Sequence, residues 1–341
     1  MDRKILSLRF NQDHGLFSCS MEHGVRIYNV EPLCEKDNID KSQIGSISMC
    51  EMAYRGNFLC MVAGGHYTKF PDSHLMVYDA KTHKFVLRIK FASSIRAVRM
   101  KRNKIAVSLS KQLFVYSFPE MKTLVTMDLR DNSRGLLEIT PSARGGEREI
   151  IVFPGCRIGA LQIVDITNTE LAQSSTPASI ECHTNELSCI CLNQEGTKVA
   201  TTSDQGTIIR IWDTTTTQQL LELRRGCEAA QIYSLCFDHA SEFLCCSSDK
   251  GTVHIFAIND VKLNKQMLFG TFLGKFGGPL KSFATFQLPP ECPCVCAFGS
   301  NNSVVAIGMD GSFNKYTFTI EGHCARVGYD VFIDLVGDFL G

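Results

Sequence analysis

Arg224 and Arg225 stand side by side in the run Leu223-Arg224-Arg225-Gly226, at the junction of two similar β-rich segments. Successive side chains of an extended strand point to opposite sides, so the pair sends one guanidinium into each of two neighbouring clefts. The planar guanidinium fork suits the oxygen geometry of phosphate better than any other side chain. On either side lie two matching turns, Ser203-Asp204-Gln205-Gly206-Thr207 and Ser248-Asp249-Lys250-Gly251-Thr252. Their hydroxyls and backbone N–H groups are fitted to donate to phosphate oxygens. The same turns also serve as ordinary hairpins, in which Asp and hydroxyl side chains brace the chain.

The elements that position these residues are legible as a repeat. Leu75-Met76-Val77-Tyr78-Asp79, Leu161-Gln162-Ile163-Val164-Asp165 and Ile209-Arg210-Ile211-Trp212-Asp213 share one apolar-x-apolar-apolar-Asp pattern. Looser copies end at Asn29, Ser117, Ala257 and Thr317. The marks are separated by 50, 38, 48, 48, 44 and 60 residues. Seven units with most spacings in the forties predict an all-β, seven-bladed propeller of the WD40 type. Phe10 to Gly24, Leu192 to Gly206 and Phe237 to Gly251 repeat a second spacing of 14 residues, each with a turn after its first member. Alternation such as Val253-His254-Ile255-Phe256 suits short antiparallel strands, and no domain boundary interrupts the series. The chain start and residues 319–341 are expected to meet near the ring closure, with the strand that completes each blade left open.

Composition narrows the function. The 341 residues are 44% hydrophobic and carry a formal net charge of zero. That supports a large core without staples and speaks against a general nucleic-acid binder, which needs a basic excess. Apolar stretches are too short and too often charged to span a membrane, and the start Met1-Asp2-Arg3-Lys4-Ile5 lacks the apolar core of a signal peptide. The sixteen cysteines sit largely in strand-like runs such as Cys294-Val295-Cys296, without Cys-x-x-Cys pairs at zinc spacing. They read as reduced, mostly buried thiols of a cytosolic protein, with no metal and no cofactor. No Gly-x-Ser-x-Gly, His-Glu-x-x-His or Gly-x-x-x-x-Gly-Lys pattern occurs, so no enzyme is expected. The alternative to an anion-binding role is a WD40 protein-interaction scaffold without direct lipid binding.

With Arg-Arg-Gly between the fifth and sixth of seven repeats, the chain resembles the PROPPIN family of phosphoinositide-binding propellers over essentially its whole length. It is most similar to the animal WIPI group, in the branch whose signature begins with Leu rather than Phe. The resemblance implies binding of phosphatidylinositol 3-phosphate and 3,5-bisphosphate by a cytoplasmic monomer recruited to phagophore and endosomal membranes. It also implies a partner, the autophagy lipid-transfer protein that feeds phagophore growth. Carried over by position, a first lipid site combines His183, Ser203, Thr207 and Arg224, and a second combines Arg225, Ser248, Lys250, Thr252 and His254. His183 is equally placed to be the structural histidine of a WD repeat, and His254 to be a packing residue.

Between Asp260 and Glu291 no acidic residue occurs, while Lys262, Lys265, Lys275 and Lys281 alternate with many aromatics. Leu268, Phe272 and Phe276 fall at i, i+4, i+8, and Phe269 with Leu273 adds a second such pair. Glycines at 270, 274, 277 and 278 oppose a helix. The family resemblance makes this excursion, about 260–282, a membrane-facing loop through Lys265, Leu268, Phe269, Phe272, Leu273, Lys275 and Phe276. Phe283 and Phe286 read instead as core. The turn at Asn11 and Asp13, with the polar loop His66-Tyr67-Thr68-Lys69, is expected to be exposed and to bind the partner protein.

Overall fold

The computed structural model describes residues 4–142, 148–168, 177–265 and 279–335. They form seven sheets arranged as a β-propeller, six of four strands and one of five. Blade one is built from Ile5–Phe10, Leu16–Met21, Gly24–Asn29 and Cys34–Asp40. Blade five comprises Leu187–Leu192, Lys198–Ser203, Ile208–Asp213 and Gln219–Arg224. Blade six comprises Ile232–Phe237, Phe243–Ser248, Thr252–Ala257 and Ala284–Gln287, and blade seven runs from Cys294 to Val331. The first strand of each blade adjoins the first strands of its neighbours, so these strands line the centre. The repeat marks at 29, 79, 117, 165, 213 and 257 are each the last residue of a third strand, and 317 is one residue short of that position.

Each blade is a four-stranded meander, with one added short strand at the edge of blade five, and among the described residues no strand is exchanged between blades seven and one to close the ring. Strands alternate side chains between two faces, and both faces are apolar here because each meets a neighbouring blade. The core accordingly divides into seven apolar clusters, one in each seam between blades. The seam between blades seven and one joins Ile5, Leu8, Phe17 and Tyr28 to Val305, Ile307 and Phe313, with Phe332 and Ile333 plugged into it. Phe283 and Phe286 are buried between blades six and seven. All sixteen cysteines are free, and most are buried.

The central channel is not where the charge is free. Arg9 pairs with Glu51 at 3.2 Å and with Glu138 at 3.1 Å, and Arg99 pairs with Glu138 at 2.9 Å. Two cations meet two anions, and the set cancels.

The turn at Asn11 differs from expectation. Its side chain is only 3% exposed, donating from Nδ2 to the Tyr54 carbonyl at 3.0 Å and accepting from Leu16 N–H at 3.0 Å. A tight turn must satisfy its own backbone groups, and Asn11 is spent on that task. Asp13 accepts from Gly15 N–H at 2.9 Å and pairs with Arg55 at 3.2 Å. The loop at His66 is not beside it. Asn11 and Asp13 follow a first strand, whereas His66 and Tyr67 end a second strand, and these termini lie at opposite ends of an antiparallel pair.

Candidate functional site

The arginine pair closes the outer strand of blade five, where that blade meets blade six. Leu223 is fully buried in the seam between the two. Alternation therefore turns Arg224 away from blade six and returns Arg225 toward it. The two environments differ sharply. Arg225 is 7% exposed and donates from Nε to the Gly206 carbonyl at 2.8 Å and from Nη2 to the Glu228 carbonyl. Arg224 is half-buried, makes one long bond from Nη1 to the Gly226 carbonyl at 3.4 Å, and leaves its buried Nε without a partner.

The turn of blade five is held against this strand end. Backbone N–H groups of Arg225 and Gly226 donate to the Thr207 carbonyl at 2.9 and 3.5 Å, and Gly206 N–H donates to the Ser203 carbonyl at 2.9 Å. Gly206 has φ +60°, and a Cβ there would lie 1.9 Å from the Ala230 carbonyl oxygen, so only glycine fits. Ser203, Thr207 and Arg224 are thus gathered by one turn, with Ser203 itself buried. His183 lies deeper in the blade. Its Nε2 is 3.0 Å from Thr201 Oγ1, which also accepts from Trp212 Nε1 at 3.1 Å, and its Nδ1 is 3.5 Å from Arg210 Nη1. Burial, with the Arg210 charge second, lowers its pKa to about 4, so the ring is neutral near pH 7.

On the blade-six side, Ser248 is buried and accepts at Oγ from Lys250 N–H at 3.4 Å, while Lys250 points to solvent. Thr252 Oγ1 donates to Gln287 Oε1 at 2.9 Å. His254 is 3.0 Å from Ser282 Oγ and stacks on Phe256, with ring centroids 6.1 Å apart. Burial first and then the Arg225 charge lower the His254 pKa to about 4. Gln287 and Ser282 were not singled out by sequence reasoning, since both arrive from beyond the excursion and carry no repeat signature. Asp249 adds a buried carboxylate oxygen, Oδ1, that has no hydrogen-bond partner. The rim therefore holds one orphaned donor on Arg224 and one orphaned acceptor on Asp249.

The excursion leaves blade six after Ala257 and is anchored at its base. Lys265 and Lys281 exchange backbone hydrogen bonds at 3.1 and 2.9 Å, and Leu280–Lys281 pairs in parallel with the outer strand of blade five as its fifth strand. Lys265 is exposed. Leu268, Phe269, Phe272, Leu273, Lys275 and Phe276 lie outside the described residues. Among the described residues no helix is long and apolar enough to cross a membrane, and no group of three or more His, Cys, Asp or Glu side chains is placed to hold a metal ion.

Fold and rim define a class, and comparison with known proteins gives it a family. The PROPPIN family model matches residues 5–314. Autophagy-related protein 18e of Arabidopsis thaliana is 28% identical over 324 residues, covering 93% of this chain and 84% of the relative. Kluyveromyces lactis Hsv2 superposes with a TM-score of 0.78 at 20% identity, covering 97% of this chain and 100% of that one. KlAtg21, solved in complex with the coiled-coil of AgAtg16, gives 0.78 at 23% identity, covering 96% and 99%. These two likenesses speak to the fold alone. The chain belongs to the PROPPIN family and is a non-enzymatic propeller.

Proposed function

We propose that this chain is a phosphoinositide-binding effector of autophagy. It docks on membranes carrying phosphatidylinositol 3-phosphate or 3,5-bisphosphate through two rim sites, one per arginine. The observation that carries this reading is the divergence of Arg224 and Arg225 to opposite sides of one strand end, between two turns rich in hydroxyls. The Arg224 guanidinium supports it, because its one long bond to the Gly226 carbonyl leaves donors for a phosphate group. Membership of a family with autophagy-related relatives supplies the cellular setting. Docked on phagophore and endosomal membranes as a monomer, the propeller recruits autophagy machinery, including the lipid-transfer protein of phagophore growth. The complex of the related KlAtg21 with a coiled-coil favours such recruitment. The excursion beyond Lys265 adds membrane contact through Phe269, Phe272 and Phe276.

Liposome flotation tests the proposal. Each charge-assisted guanidinium–phosphate contact contributes roughly 1.5–3 kcal/mol, so changing Arg224 and Arg225 together to Ala lowers affinity by at least about two decades. Unchanged flotation of that variant, with a native circular dichroism spectrum, refutes the assignment and leaves a protein scaffold. Phe269, Phe272 and Phe276 changed together to Ser speed release from liposomes while soluble headgroup affinity stays the same.

A further inference from the structure

The fifth strand of blade five places a row of cations beside Arg224. In the parallel pairing Leu223 faces Leu280 and Arg224 faces Lys281, and residues in register on adjacent strands share a face. Leu223 and Leu280 both pack into the blade five–six seam, so Arg224 and Lys281 lie together on the other side. Lys281 in turn exchanges both backbone hydrogen bonds with Lys265, on its far edge, which puts Lys265 third in the row. At ordinary strand spacing the three Cα positions span roughly 10 Å.

Like charges directly across strands repel. Among the described residues none of the three is ion-paired with a carboxylate. Glu222, two residues before Arg224 on the same face, is held by Arg210 at 2.9 Å. Lys265 and Lys281 are exposed, while Arg224 keeps an unpartnered buried Nε. Three cations across adjacent strands, with no resident anion, form a site for a polyanion.

Resting on the reading of Arg224 as a phosphate contact, we propose that Lys281, backed by Lys265, extends the Arg224 site outward so that it holds two phosphate groups at once. The ligand class is a bisphosphorylated polyol headgroup, with Arg224 on one phosphate and Lys281 on the other. The Lys281 ammonium is a rotatable point charge on a flexible stem, so it follows a phosphate rather than fixing its orientation. The pair thereby tilts the site toward the more highly charged headgroup.

The test uses the full chain and soluble short-chain phosphatidylinositol 3-phosphate and 3,5-bisphosphate, with calorimetric or fluorescence titration at fixed ionic strength. Lys281→Gln is expected to weaken the bisphosphate about tenfold and the monophosphate by no more than about threefold. Those values follow from one unit charge lost about 5 Å from a dianion at near-aqueous dielectric. Lys281→Arg restores the preference, and Lys265→Gln shows a smaller loss of the same kind. In vesicles carrying only the monophosphate, added phosphatidylserine separates the second possible anion. If Lys281→Gln weakens vesicle binding in proportion to phosphatidylserine and leaves both soluble lipids unaffected, the second phosphate is a neighbouring lipid's and the proposal falls. Equal affinities of Lys281→Gln and the unmodified chain for both soluble lipids, while Arg224→Ala removes one of the two binding sites, also overturn it and leave the Arg224 reading standing. If neither soluble lipid binds the unmodified chain, both readings fall.

Discussion

Arg224 and Arg225 predict opposite results in a stability measurement, although they are adjacent and chemically identical. Arg225 is 7% exposed and ties the turn carbonyl of Gly206 to the connector carbonyl of Glu228. Each hydrogen bond from a charged donor contributes about 1.5–3 kcal/mol. On a rim, water re-solvates some of the freed carbonyl groups, so Arg225→Ala should cost about 2–4 kcal/mol overall. Among the described residues Arg224 makes only the 3.4 Å contact to Gly226 and buries a donor that nothing accepts. Its replacement by Ala removes that unsatisfied group and should change stability by less than about 0.5 kcal/mol. Urea unfolding followed by circular dichroism and Trp212 fluorescence reads both variants against the unmodified chain. Arg225→Lys should fall between, since it keeps the charge and loses the fork. Equal destabilisation by the two Ala variants, or none by Arg225→Ala, would refute the division into one structural and one free arginine. The division also bears on binding assays, because part of any loss in Arg225→Ala comes from a loosened turn.

Two further outcomes follow from the same rim. His183 and His254 both have pKa values lowered from 6.5 to about 4. The unfolded chain therefore binds more protons between those values, and their stabilising contribution, complete above pH 6.5, is lost as pH falls toward 4. The urea midpoint should drop across that window, and replacing both histidines by Gln should flatten the drop. Thr201→Val leaves the Trp212 indole N–H without its acceptor in a buried site. That should cost about 1–3 kcal/mol and shift the emission of the only tryptophan, while an unaltered spectrum and midpoint would remove Thr201 from the network.

Much of this was readable from sequence because a propeller repeats its grammar. Asp79, Asp165 and Asp213 end third strands, and the paired turns at Gly206 and Gly251 fall where the 14-residue spacing puts them. The alternation rule alone sends Arg224 and Arg225 to different sides. What escaped the sequence depends on single long-range contacts with no periodic signal. Leu280–Lys281 joins blade five although the chain is then midway through blade six. Asn11 looks like an exposed turn residue, but its partner is a carbonyl 43 positions away. Arg225 reads as a ligand contact in the sequence, and only the positions of the Gly206 and Glu228 carbonyls reveal its bracing role.

The unexchanged closure of the ring has a consequence for how the molecule assembles. Blade one is complete by Asp40, yet Phe17 and Tyr28 receive the edge of the Phe332 ring only from the far end of the chain. Among the described residues the last seam has no shared strand to hold it. It depends on Phe332 and Ile333, a bond from Arg26 to the Ile333 carbonyl at 3.1 Å, and the Lys315–Glu31 pair at 2.8 Å. Bringing together segments some 300 residues apart carries the largest loop-closure entropy in the chain, and the reward comes only when the C-terminal peg arrives. During synthesis the N-terminal blade must therefore wait with an aromatic face open, exposed to association with other chains. A stop codon just before Phe332 would spare both arginines and both rim turns and still deny the ring its lock.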